Sequence, residues 1–177
     1  MADTIRIRRD PDYFPILEGY TLRYEHTSNR FDGIETVEVV LKGVRAFRDD
    51  STARAEVARE RAGRREASAY AVAKTARHVA TQGAMLGPGR MEFPLPPVQD
   101  KSWSDTAGEH ELASLEAAIE VPAGRYLRCL RVETRFPGGT AIRYYAPGVG
   151  LVYEERLEGD AADRLRLVSF GPPKPRP

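Results

Sequence analysis

Thr140-Ala141-Ile142-Arg143-Tyr144-Tyr145-Ala146-Pro147-Gly148-Val149-Gly150-Leu151-Val152-Tyr153 decides the fold class. Two β-prone runs, 140–145 and 149–153, flank a Pro-Gly pair. Gly148 stands third in the turn 146–149, where a type II turn needs positive φ. This is the pattern of an antiparallel hairpin. Working outward, similar punctuation recurs at Asp32-Gly33, Ala62-Gly63, Pro88-Gly89, Pro122-Ala123-Gly124, Pro137-Gly138-Gly139 and Gly159-Asp160. Segments of about 8–12 residues between such signals predict an antiparallel meander.

The segments themselves agree. Tyr20, Leu22, Tyr24 and His26 alternate with polar residues, as do Val37, Val39 and Leu41 with Glu38 and Lys42. Residues 126–132 are β-prone and partly apolar on both faces, and Leu165, Leu167 and Val168 make a last strand. From 52 to 80 the chain is rich in Ala, Arg and Glu, which individually favour helix. Gly63 interrupts that stretch, Ala53, Ala55 and Val57 alternate with charged residues, and Tyr70 and Val72 share a face at period 2. Two or three strands are expected there in preference to a helical hairpin. The predicted architecture is mainly β, a single curved antiparallel sheet or open half-barrel meander. One domain spans residues 1–170, and a Pro-rich tail, 171–177, is extended or frayed.

Composition narrows the function classes. Of 177 residues, 41% are apolar and 30% charged, with net charge +1, so the chain is neither disordered nor a charged tail protein. No apolar run approaches the ~18 residues of a membrane-spanning helix. A single cysteine, Cys129, excludes an intrachain disulfide framework. Charge is uneven: residues 45–90 hold 10 basic and five acidic side chains, while the flanking segments are each net −2. The N-terminal Arg6, Arg8 and Arg9 have no apolar stretch behind them, so the sequence as given shows no secretory signal. Cytoplasmic location is the default expectation, and export the expectation if a signal has been removed.

Three fragments carry a resemblance. Asp12-Tyr13-Phe14-Pro15-Ile16-Leu17-Glu18-Gly19, leading into Tyr20–Glu25, is similar to the DYFPLxxGxxWxYE opening of a broad group of bacterial β-rich proteins of uncharacterised function. Leu22 stands where that motif has Trp. Residues 121–133 resemble their VPAGxFxxCxxVE segment, residues 144–152 their YYAxGVGLV hairpin, and Trp103 matches a Trp ahead of the second segment. The resemblance implies a single curved antiparallel sheet and, for many members, export or lipid anchoring. It carries no catalytic residue.

Candidate chemistry is sparse. Cys129 sits in an apolar β-prone run, where a thiol behaves as a small hydrophobe. Glu109-His110-Glu111 could clip a metal, but neighbours on a strand point to opposite faces, and a solvated loop is the expectation there. His26 reads as a satisfied core or rim histidine, and His78 lies among arginines. Residues 83–89 lack the Lys-Ser/Thr pair of a phosphate loop and read as a plain loop. Trp103 reads as an anchor of the core or its rim, with its indole N–H on a nearby carbonyl. The expected function is a non-catalytic binding or scaffold domain presenting a concave sheet to a lipid-like ligand or a protein partner. The alternative is a structural subunit of a larger intracellular assembly, and an enzyme comes third. Candidate contact residues are Tyr24, His26, Trp103, Arg61, Arg64 and Arg65. No cofactor, metal or nucleic acid is expected, and homo-oligomerisation is left open.

Overall fold

The computed structural model describes residues 11–172. They form twelve strands: β1 (Thr21–Ser28), β2 (Glu35–Phe47), β3 (Asp50–Arg61), β4 (Arg64–Lys74), β5 (His78–Thr81), β6 (Arg90–Pro94), β7 (Ser102–Asp105), β8 (Gly108–Val121), β9 (Gly124–Phe136), β10 (Gly139–Ala146), β11 (Gly150–Glu158) and β12 (Ala161–Gly171). No helix occurs among the described residues. All strands belong to one antiparallel sheet, in the order β6-β5-β4-β3-β2-β1-β12-β11-β10-β9-β8-β7, curled into a nearly closed barrel. Gly171 pairs with Thr21, so β12 runs one residue into the Pro-rich tail. Residues 173–177 of that tail, and Arg6, Arg8 and Arg9, lie outside the described residues.

The decisive hairpin forms as read. Gly148 has φ 72° and Val149 N–H donates to the Ala146 carbonyl at 3.1 Å, closing the type II turn. The Ala-, Arg- and Glu-rich middle is strand throughout. Ala62 and Gly63 have φ 51° and 75°, both positive as a type I′ turn requires, and the turn's twist matches that of the strands it joins. From it β3 and β4 zip in unbroken register, Arg61 opposite Arg64 through Ser51 opposite Lys74. Burial of Ala53, Ala55 and Val57 on one face outweighs helix propensity here.

Irregularities reshape the pattern elsewhere. Arg128 has φ 53°, which breaks the alternation of β9, so consecutive Cys129 and Leu130 are both fully buried while Leu127 is exposed. The register of β10 against β11 shifts between Tyr144 and Tyr145. Near that point the Tyr20 and Tyr24 hydroxyls donate to the carbonyls of Val149, in the turn, and Leu151, in β11, each at 2.8 Å. Burial pushes the Tyr20 hydroxyl up to about 12 and holds that of Tyr24 well above the usual tyrosine range. These cross-barrel struts tie opposite walls through the core.

The barrel is not shut by a backbone ladder. Its terminal strands β6 and β7 meet through side chains. The Trp103 indole N–H donates to the Met91 carbonyl at 3.0 Å, and Met91 N–H donates to Asp105 Oδ2 at 2.9 Å. Both main-chain groups of Met91 are thus taken by two inward residues of β7.

Glu109-His110-Glu111 is no solvated loop, which corrects the sequence expectation. It lies on β8, and His110 is buried beneath the Trp103 ring, stacked with centroids 5.3 Å apart. Its neighbours are polar and its own segment short of large apolar residues, so the inward turn of the imidazole left no trace in local hydropathy.

Candidate functional site

The interior has an apolar level and a polar one. On the polar level, inward residues of β6, β10 and β11 bring together Arg90, Glu92, Arg143 and Glu154, all but sealed from solvent. Arg90 donates from Nε to Glu92 Oε2 at 3.0 Å, from Nη1 to the Leu86 carbonyl at 3.0 Å and from Nη2 to Glu154 Oε2 at 3.3 Å. Arg143 Nε donates to the Tyr145 hydroxyl at 3.2 Å, and that hydroxyl donates in a short bond to Glu92. Thr81 adds a donor to Glu92 Oε1 at 3.0 Å. Two cations face two carboxylates, so the cluster is neutral as a whole. Burial opposes the charge on Glu92, but Arg90 and Arg143 outweigh it and hold its carboxyl below the usual range. Burial likewise opposes the Arg90 charge, and Glu154 and Glu92 outweigh it in turn.

A relay leads from this cluster to the seam. Arg143 Nη2 donates to Thr134 Oγ1 at 3.0 Å, and Thr134 Oγ1 lies 2.7 Å from His110 Nδ1. His110 Nε2 lies 2.8 Å from Asp105 Oδ1. A carboxylate only accepts, so Nε2 carries the proton and the Thr134 hydroxyl donates to Nδ1. Burial keeps the imidazole neutral by lowering its pKa, with Arg143 and Arg90 adding to the effect. Asp105 also accepts the Met91 and Ala107 amides, and these bonds with that of His110 depress its carboxyl against the opposing pull of burial. Hydroxyl, imidazole and carboxylate in a row is the order of a nucleophilic relay. Here Thr134 is buried and its oxygen already accepts from Arg143, so the row positions the seam.

The candidate contact residues fall into two groups. Tyr24, His26 and Trp103 face inward, and their polar atoms are already used. His26 lies between two carboxylates, Nδ1 2.8 Å from Glu35 Oε1 and Nε2 2.9 Å from Asp163 Oδ1, joining β1, β2 and β12. Arg61, Arg64 and Arg65 are exposed at the β3–β4 tip, Arg61 resting 4.4 Å above the Phe31 ring centroid. The structure does not bring the two groups together.

Of the concave spaces, the apolar one inside the barrel, walled by Phe14, Tyr20, Leu22, Tyr24, Tyr70 and Met85, has a volume of about 40 Å³. That is far below the ~300–1,000 Å³ of a pocket that takes a small-molecule ligand. A larger cleft of about 470 Å³ opens between residues 85–87 and His26, Arg30, Arg156 and Asp163. Its charges are paired, Arg30 with Asp163 at 2.8 Å and Arg156 with Glu158 at 3.1 Å, which does not suit an apolar guest. Among the described residues no group of three or more His, Cys, Asp or Glu is arranged to hold a metal.

Sequence reading missed Arg90, Glu92, Arg143 and Glu154. Their signal was present: Arg143 sits on the face of Ala141, and Glu154 on that of Val152, where a surface strand would carry an apolar residue.

No family model matches the chain, and no curated protein matches it. Solved structures do. The fold is similar to that of a candidate lipoprotein from Parabacteroides distasonis ATCC 8503, with TM-score 0.67 and 12% identity over 91% of this chain and 99% of the other. It is also similar to a candidate exported protein with a YmcC-like fold from Bacteroides fragilis NCTC 9343, with TM-score 0.63 and 12% identity over the same shares. At that identity the likeness shows a shared fold.

Proposed function

We propose that this barrel is a non-catalytic scaffold that binds a protein partner on its outer surface, and that it works as an exported protein of the cell envelope. One observation carries the binding reading. The interior is occupied by the protein's own side chains around a space of about 40 Å³, whereas two strand edges, residues 64–70 of β4 and 113–120 of β8, have no pairing strand among the described residues. Unpaired edges are templates for another chain. Export is supported by the descriptions of the two structural neighbours and by the resemblance to a group with many exported members.

Photo-crosslinkers placed in turn at Arg65 and Ser114 of the native protein in cells test the reading, alongside organic extraction and cell fractionation. Discrete protein adducts, no stoichiometric lipid and an envelope location are expected. Stoichiometric lipid in the extract with no adduct at either position overturns partner binding in favour of an apolar ligand. A cytosolic location overturns export.

A further inference from the structure

Resting on that reading, we infer that the outer edge of β4, residues 64–70, is a strand-addition site for an extended acidic segment of a partner protein. Strand β5 pairs with β4 only at Val72, Ala73 and Lys74. Gln82 N–H then donates to the Ala71 carbonyl at 2.9 Å, and the chain turns away toward the barrel interior, where Leu86 is buried. Gly83 packs against Tyr70, and below it residues 64–69 have no pairing strand on this side among the described residues and are exposed on both faces of the hairpin.

The edge is ready to pair. Its ladder with β3 has no bulge along its whole length, so the strand is held extended before any partner arrives. The other bare edge, on β8, is broken by three register shifts, and such irregularity blunts an edge against pairing. No bulge or Pro interrupts residues 64–70; the charges that guard this edge are gathered at its start, Arg64–Glu66, and Ala67, Ser68 and Ala69 beyond them are small enough for close backbone approach. Recognition there is by main-chain hydrogen bonds.

Charge selects the occupant. Arg61 lies directly opposite Arg64, so like charges face each other at the tip, while one step on Arg65 faces Glu60 and Glu66 faces Arg59. The Arg61–Arg64 pairing is unfavourable until an anionic group joins it. Among the exposed charges of the tip, Arg61, Arg64 and Arg65 stand against Glu60 and Glu66, a surplus of one positive charge. A second copy fits less well: antiparallel self-pairing over residues 64–71 sets Arg64 against Ala71 and Arg65 against Tyr70, and the register that sets Arg65 against Glu66 pairs only residues 64–67 of this edge.

The test uses the whole chain and a blocked peptide, Thr-Val-Thr-Val-Thr-Thr-Asp-Glu, whose two acids meet Arg65 and Arg64 in antiparallel addition. Two control peptides are the same sequence with alternate backbone amides N-methylated and one with the two acids replaced by Lys. Amide hydrogen exchange is read residue by residue. The peptide is expected to slow the outward-facing amides of residues 64–70 by about tenfold or more. Both controls lack the effect, and the Arg64→Ser/Arg65→Ser variant, unchanged in thermal unfolding, loses about tenfold in affinity. Affinity falls between about 0.1 M and about 1 M salt as the screening length shrinks from about 10 Å to about 3 Å. No protection at millimolar peptide, equal protection by the lysine peptide, or protection elsewhere overturns the inference. A doubled mass by light scattering without peptide, with the edge already protected, assigns it to a second copy instead. Crosslinked partners at Ser114 alongside any of these failures leave the scaffold reading standing.

Discussion

Trp103 joins the two ends of the sheet to each other by giving its indole N–H to the Met91 carbonyl at 3.0 Å. A barrel closed by backbone pairing would share that closure over a whole ladder. Here it is concentrated in Trp103 and Asp105, backed by the buried relay through His110 and Thr134.

Trp103→Phe keeps an aromatic ring over His110 and removes the donor. The lost bond and the stranded Met91 carbonyl are expected to cost about 1–3 kcal/mol. Urea unfolding measures the total, and hydrogen exchange is expected to speed up first in β6. Equal acceleration across all strands would show that the seam opens only with global unfolding.

Arg143→Met removes one cation from the neutral cluster and leaves Glu92 short of a partner, and a loss of about 3–5 kcal/mol is expected. Adding Glu92→Leu restores neutrality. The double variant is therefore expected to be more stable than the sum of the single losses, with a coupling of about 1–3 kcal/mol in a double-mutant cycle. Additive losses would mean the charges act independently.

His110 gives stability a pH slope of definite sign. Its folded pKa is lowered by burial, so below about pH 6.5 the unfolded chain takes up a proton that the folded chain refuses. This contribution is full above about pH 6.5 and is lost as pH falls toward the folded value. His110→Gln is expected to flatten that window. Glu92 and Asp105, with depressed carboxyls, act lower: their contribution is present above about pH 4 and lost as pH falls through their folded values. Urea midpoints measured at half-unit pH intervals separate the two windows.

Burial pushes the Cys129 thiol up to about 11, and among the described residues nothing offsets it in favour of the thiolate. At neutral pH a thiol reagent is expected to label it slowly in the folded protein and quickly in denaturant. Fast labelling of the folded chain would show that the β8–β9 hairpin opens independently.

The sequence made legible whatever local rules control. Gly148 and the Ala62-Gly63 pair announce their turns, and Tyr24, Val37, Val39 and Leu41 announce the inward face of their strands. Trp103 and His26 were read as satisfied anchors, and their partners are Met91, Glu35 and Asp163. What stayed hidden depends on distant residues. Arg90, Glu92, Arg143 and Glu154 resemble surface charges one at a time and become a core only when β6, β10 and β11 bring them face to face. His110 was masked in the same way by flanking glutamates that point outward. Strands β6 and β7 are four or five residues long and lack alternation, so their pairing through Trp103 and Asp105 had no local signature.

The strand order has a consequence for how the chain finds its fold. Every ladder but one joins strands consecutive in sequence. The exception is β1 with β12, where Thr21 meets Gly171 and the long intervening chain must be brought round before any contact rewards the closure. Starting the chain at β7 and joining β12 to β1 through a linker that enters at Pro11 would give spatial order identical to chain order and keep Tyr13, Ile16 and Tyr20 in the core. The new termini would fall at the side-chain seam. Such a circular permutant has the same interior and a lower contact order, so it should reach the barrel faster while unfolding at a similar rate.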